Sequence, residues 1–423
     1  MSGAEFPPIS ELGMKLKTFG SLSLITLAAV LASAQEIPSS SGPLLKRASG
    51  NVDWAQYNFD SAHDGYNPYE TILSPITIGN VAVLWSYVLN EVTEEGAPAV
   101  ANGMVYFAAG NTFSCMDFAV YALKADTGDL VWKSPISVPT FGSPAVGNGV
   151  VYLIAGAVYA YNADTGAVVW ESQDGNCQYA PTLANGTVYV VCDSDVVYAM
   201  NAGNGTTIWR YSTKGKIYAP PAVANGALYV NSGDGNVYAL NANTGAVIWQ
   251  KQLGASLSPP ATLNIYGSGQ AVANGLLYLA VRNYFYALDA NTGAIIWRRD
   301  VLLVVSDTPI VGNGMVYFPY SNLIDALDAS TGTPIWQYQL PDGASASTPV
   351  LANGVLYAAV LKGIGFGQGY YTLTAIDAGI GEWLWEYDSY ISFPWGIPGP
   401  AVVNGMIYSH LSTGFSAFGL PNP

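Results

Sequence analysis

The chain carries two histidines, His63 and His410, and three cysteines, Cys115, Cys177 and Cys192. Two histidines exclude a multi-histidine metal centre and an HExxH protease, and neither has the neighbours of a Ser-His-Asp relay. His410, expected in the last upper loop on the ligand or partner face, stands alone as a candidate general base, whereas His63 reads as a hydrogen-bonding residue. Any acid–base pair must therefore be carboxylates, and Asp307, Glu95 and Glu94, each just ahead of a short apolar run, are the candidates. No metal site is expected. Cys115 has no adjacent base to mark it as a nucleophile. A different chemistry is offered by Tyr179, Tyr218 and Trp395, with Phe141 and Phe393 beside them and Arg282, Lys214, Lys216 and Lys362 as the nearby cations. Such rings, set among acids and amides, suit stacking on a sugar or holding an apolar or cationic ligand.

The 423 residues hold 29 acidic side chains against 14 basic ones, a net charge of −15 that leaves no footprint for nucleic acid. Half the chain is apolar, and 46 Gly, 25 Pro, 29 Tyr and 11 Trp argue against both disorder and a helical protein. Residues 1–34 read as an extension and a signal peptide: Lys15 and Lys17, an apolar run from Phe19 to Leu31, then Ala32-Ser33-Ala34 for cleavage. The apolar run is shorter than the ~20 residues of a membrane span. Residues 35–47 read as a propeptide ending at the dibasic Lys46-Arg47, residues 48–80 as a lead-in, and residues 81–423 as the domain. A secreted, extracellular protein is expected, with glycosylation sequons at Asn185 and Asn204. A Cys177–Cys192 bridge is expected too, provided a bulge absorbs a two-residue offset.

What positions these residues is a repeat. Asn-Gly occurs at 102, 148, 185, 225, 274, 313, 353 and 404, and a tyrosine follows each asparagine by four residues. Proline precedes it by four in seven of eight cases, Gln270 being the exception. Asn-Gly between short apolar runs predicts a hairpin with a type I′ turn. A second turn, centred on Thr-Gly, leads in most units to a tryptophan: Trp132, Trp170, Trp209, Trp249, Trp297, Trp336 and Trp385. An alanine recurs in every third strand (122, 160, 199, 239, 287, 326, 375 and 417), small enough to admit the indole. Four strands repeated eight times predict an all-β fold, an eight-bladed β-propeller of four-stranded antiparallel blades with tryptophan docking. The last unit lacks a fourth strand, and Val81 to Tyr87, carrying Trp85, has no hairpin of its own. The N-terminal strand is expected to close the eighth blade, with residues 48–80 draped over one face. The Asn-Gly and Thr-Gly turns share one face; the upper face carries the longer insertions, Ala109 to Phe118, Leu253 to Gln270, Leu361 to Tyr371 and Glu386 to Gly399.

The runs Ala287-Leu-Asp-Ala-Asn-Thr-Gly-Ala-Ile-Ile-Trp297 and Ala326-Leu-Asp-Ala-Ser-Thr-Gly-Thr-Pro-Ile-Trp336 resemble the tryptophan-docking motif of the PQQ-like, or quinoprotein alcohol dehydrogenase-like, propellers. The stretch from Asp53-Trp54 to His63-Asp-Gly-Tyr-Asn-Pro68 is similar to their lead-in, and a secreted, fungal-type member is expected. The resemblance implies a cofactor site at the propeller axis, with PQQ beneath a ring of two adjacent cysteines and calcium held by Glu and Asn. No two cysteines here are adjacent, and cations for the three PQQ carboxylates are few. The expectation is therefore a monomeric, non-catalytic binding or scaffold propeller that uses its upper face for an unknown protein or glycan ligand, without a cofactor. A PQQ- and calcium-dependent oxidoreductase acting on alcohols or sugars, and a carbohydrate-binding protein, remain the alternatives.

Overall fold

The computed structural model describes residues 52–89, 96–111, 116–138, 140, 142–172, 176–254, 269–301, 307–341, 344–365, 368–391, 398–411 and 414–421. Glu94, Glu95, Cys115, Phe141, Phe393, Trp395 and residues 1–51, on which the expected signal peptide and propeptide fall, lie outside the described residues.

Eight blades of four antiparallel strands stand side by side, sequential in all but the eighth, and the seventh also takes up the short strands Tyr66–Asn67 and Ser345–Ala346. Blade 5 shows the plan: Gln270–Ala273, Leu276–Val281, Tyr284–Asp289 and Ile295–Asp300, from the axis outward. The short first strands touch one another in turn, and Ala401–Val403 of blade 8 returns to Ala99–Ala101 of blade 1, so the ring is closed. The eighth blade takes its outermost strand from the other end of the chain, because Ala82–Val88 pairs with Gly414–Gly419 and sets Trp85 opposite Ala417. The N-terminal closure expected from the sequence is what the register shows.

The repeat residues each have a local reason. All eight asparagines of the Asn-Gly turns lie at φ between 43° and 57°, and the glycines after them between 75° and 78°, which is the type I′ conformation. Every recurring alanine faces a recurring tryptophan across the third and fourth strands, as Ala199 faces Trp209 and Ala287 faces Trp297. The indole then reaches into the next blade. Nε1 of Trp85, Trp132, Trp170, Trp209, Trp249, Trp297 and Trp336 donates to the carbonyl of Ala125, Ala163, Ala202, Ala242, Ala290, Ala329 and Ala378 at 2.8–3.1 Å. Seven of the eight hairpin tyrosines, from Tyr408 and Tyr106 round to Tyr317, donate their hydroxyls to that same carbonyl at 3.0–3.3 Å. The indole six-membered ring lies on the glycine of the next Thr-Gly turn. A Cβ at Gly293 would sit 2.8 Å from Trp249 Cε3.

Two expectations change. The insertions from Ala109 to Phe118 and from Leu361 to Tyr371 are largely longer strands, not loops: Met104–Asn111 with Met116–Lys124, and Val355–Gly365 with Gln368–Asp377. Glu386 to Ile391 likewise belongs to the strand Trp383–Ile391. Extra residues lengthen a hairpin as readily as they form a loop when they continue to pair. The lead-in does more than drape. Residues 68–80 do lie under blades 7 and 8, where Asn353 Nδ2 donates to the Leu73 carbonyl and Ile72 packs at Gly405. Residues 54–67, however, run through the axis.

The docking geometry separates two glycine substitutions. Gly293→Ala is expected to cost about 2 kcal/mol or more in denaturant unfolding, from strain at positive φ plus the indole clash. Gly275→Ala sits at φ +76° with nothing within 4 Å of the new Cβ, so it should cost about 1 kcal/mol, the strain alone.

Candidate functional site

A ring of short first strands leaves their inner edges unpaired, and buried peptide groups need partners. The lead-in supplies them in chain order. Trp54 exchanges both backbone hydrogen bonds with Val100 at 2.7 Å. Val146 N–H donates to the Ala55 carbonyl, and the Gln56 side-chain amide brackets Leu183 by accepting from its N–H and donating to its carbonyl. Val223, Val272, Val311 and Leu351 donate to the carbonyls of Ser61, Ala62, Asp64 and Gly65 at 2.6–2.9 Å. Tyr66–Asn67 pairs in parallel with Leu351–Ala352, and Asn67 Nδ2 donates to the Val402 carbonyl. Fourteen residues thus engage all eight blades from within the ring.

On its upper side this hub carries a polar cluster. Tyr57 Oη lies 3.0 Å from Thr308 Oγ1 and 3.4 Å from Thr348 Oγ1, and the Thr348 hydroxyl donates to Asp307 Oδ1 at 3.4 Å. Burial raises the Tyr57 phenol above its ordinary range, and the charge of Asp307 acts in the same direction. His63 is buried, edge-on to Tyr57, with Nε2 3.2 Å from Thr182 Oγ1. Burial pulls its pKa down to about 3, so it stays neutral. Asp60 and Asp64 are shielded in the same segment. Burial pushes Asp60 up to about 6, and burial together with the Asp60 charge pushes Asp64 well above the carboxylate range. Gln270, where the recurring proline is missing, donates its amide to the Pro220 carbonyl and stitches blade 5 to blade 4. Small residues crowd here: a Cβ on Gly399 would lie 2.6 Å from the Thr348 carbonyl oxygen.

Among the sequence candidates, Asp307 is drawn into this axial cluster. His410 is not an upper-loop residue. It lies in the strand Met406–Leu411, 8% exposed, edge-on to Phe107 and Phe415 in the packing between blades 8 and 1. Tyr179, at φ +67°, sits in the bulge of the first strand of blade 3 and packs on the seam to blade 4. Tyr218 is half-buried beside Gly233. Arg282, at φ +56°, occupies the turn between the second and third strands of blade 5, and its side chain crosses Gly254. Lys362 is paired with Glu386 at 3.0 Å, while Lys214 and Lys216 are exposed. Cys177 and Cys192 are register partners with bonded sulfurs, and the strand's bulge lies between Gln178 and Thr182. Asn185 and Asn204 are exposed on the Asn-Gly side. Sequence reasoning missed Tyr57, Asp60, Asp64 and the hub. Only the lead-in string hinted at them, and it carries no periodicity.

The architecture is that of a PQQ-like repeat propeller. The model of the family described as outer membrane protein assembly factor BamB matches residues 76–184, 155–271 and 255–389, and the chain belongs to that family. BamB from Moraxella catarrhalis superposes with a TM-score of 0.58 at 18% identity, over 81% of this chain and 98% of that one. Quinohemoprotein alcohol dehydrogenase from Comamonas testosteroni gives 0.66 at 16% identity, over 88% and 81%. A europium-containing methanol dehydrogenase gives 0.68 at 14%, over 87% and 98%. Tetrathionate hydrolase of Acidithiobacillus ferrooxidans is 27% identical over 125 residues, 29% of this chain and only 22% of that curated relative's length. These structural likenesses define the fold. No helix among the described residues is long and apolar enough to cross a membrane.

The buried acids give a pH signature. A carboxyl whose pKa is raised on folding leaves stability intact while protonated and removes it as pH rises through the folded value. His63, depressed by burial, acts oppositely below about 6.5, so wild-type curves mix the two. Asp64→Asn keeps the acceptor for Tyr66 N–H and removes the buried charge. Its thermal midpoint is expected to exceed wild type by a few degrees at pH 7.5 and to converge with it by pH 4.

Proposed function

We propose that the protein is a secreted, non-catalytic binding or scaffold propeller that offers its upper face to a protein or glycan partner. The observation that carries this reading is the chain's own occupation of the axis, with residues 54–67 held on the inner edges of all eight blades. The extended hairpin of blade 7 supports the choice of face. Its second strand has 11 residues where blade 5 has six, reaching about 16 Å further at ~3.3 Å per residue. Membership of a family described by an assembly factor is consistent with use as a scaffold.

The axial residues do not fit PQQ. The described ionisable groups there are Asp307, Tyr57, Asp60, Asp64 and a neutral His63, a poor match for a ligand with three carboxylates. Two of the three cysteines are bonded to each other, and no cluster of three His, Cys, Asp or Glu side chains suited to a metal lies among the described residues.

Purified protein incubated with PQQ and Ca²⁺, then passed through gel filtration, is expected to elute without quinone absorbance and to reduce no dye with alcohols or sugars. Co-eluting quinone with substrate-dependent dye reduction would overturn the reading.

A further inference from the structure

The face opposite the proposed partner surface holds a cleft of about 530 Å³. Its floor and one wall are residues 52–69 of the lead-in; its rim is the Asn-Gly turns of blades 1, 2 and 3, at Asn102, Asn148 and Asn185. The volume is that of a small-molecule site. Apolar surface comes from Val52, Ala55, Phe59, Tyr69, Val146 and Leu183, so the cleft would cover the carbon body of a ligand. Among the described residues, the only lining groups that can carry charge near neutrality are Asp53 and Asp60, and no Lys, Arg or His lines the cleft.

The two acids differ. Asp53 Oδ1 accepts the backbone N–H of Asn102 at 3.0 Å and braces the blade 1 turn. Asp60 accepts the backbone N–H of Ala62 at 2.8 Å and that of His63, which leaves half of its four acceptor positions open, and no cation is paired with it among the described residues. A carboxylate in a partly apolar cleft loses hydration that only a positive partner restores well. Anions would meet two negative groups. A neutral polyol would gain hydrogen bonds without offsetting the charge. A bare divalent ion would find no third carboxylate, imidazole or thiolate among the described residues.

We propose that this cleft binds a small organic ammonium ion, its nitrogen on the Asp60 carboxylate and its apolar body between Phe59, Tyr69 and the walls of blades 2 and 3. The inference stands apart from the upper-face reading and survives its failure. Protonation supplies a second signature. Burial pushes Asp60 up to about 6, and its charge in turn raises the neighbouring Asp64. The other described ionisable groups at the cleft are Asp53 and Tyr69, neutral His63 gives only its backbone N–H to the Asp60 carboxylate, and the three turns bring only amides. An ammonium needs the ionised carboxylate, so affinity falls as pH drops through 6, by about tenfold between pH 7 and pH 5.

Calorimetric titration of the full chain at pH 7 with benzylammonium chloride, and with benzyl alcohol as the neutral control of the same shape, tests this. Sub-millimolar binding of the amine is expected, at least tenfold weaker for the alcohol, for Asp60→Asn and at pH 5. Asn148→Lys leaves Asp60 in place and tethers a competing ammonium at the rim. With its unfolding midpoint near that of wild type, it should abolish amine binding. No binding of the amine up to about 10 mM, equal binding of the alcohol, or undiminished binding by either variant would overturn the proposal.

Discussion

One carbonyl per seam organises this molecule. A peptide oxygen has two lone pairs, and at Ala163, Ala202, Ala242, Ala290, Ala329 and Ala378 both are taken by the preceding blade, one by an indole N–H and one by a tyrosine hydroxyl. Each bond contributes about 1 kcal/mol net, but their joint geometry fixes the distance and tilt between wedges. The same arrangement joins head to tail. At Ala125 the indole comes from Trp85, near the start of the domain, and the hydroxyl from Tyr408, near its end. The seam between blades 7 and 8 departs from the rule. The hydroxyl of Tyr357 is buried without a partner, and Trp385 instead packs edge-on against Phe418. The third strand of blade 8 ends at Gly419, just before Pro421, where the other blades continue into a Thr-Gly turn.

The seam lock leaves the inner strand edges bare, and the hub answers that second constraint mostly with backbone, the side-chain amides of Gln56 and Asn67 serving blades 3 and 8. This explains why the centre tolerates acids. Asp60 and Asp64 are there because their segment is held by its peptide groups, and the cost of burying them appears as carboxyls that resist ionisation.

The blades were legible in the sequence because every repeat residue answers a local steric demand: Asn-Gly for positive φ, alanine opposite the indole, glycine beneath it. The closure by Trp85 was legible because a strand and a tryptophan were missing at one end and surplus at the other. The hub was not legible. Residues 54–67 have no period, and most of their contacts join one backbone to another, which leaves no trace in residue type. Gln270 was visible as a break in the proline pattern, yet its amide bond to Pro220 needed coordinates. His410 was misplaced because the hairpin of blade 8 keeps it paired, opposite Phe415. Asp307 was found for a partly sound reason. Its place ahead of an innermost strand put it at the axis, but its connection to Tyr57 through Thr348 came from the segment that pattern could not read.

The order of the hub contacts has a consequence for how the number of wedges is set. From Trp54 to Asn67 the segment meets the first strand, then the second, and so on to the eighth, in the sequence in which a ribosome would deliver them. A piece of chain made before any blade therefore acts as a ruler with eight graduations. A wheel of seven would leave a mark unread, and a ninth spoke would find none left to take.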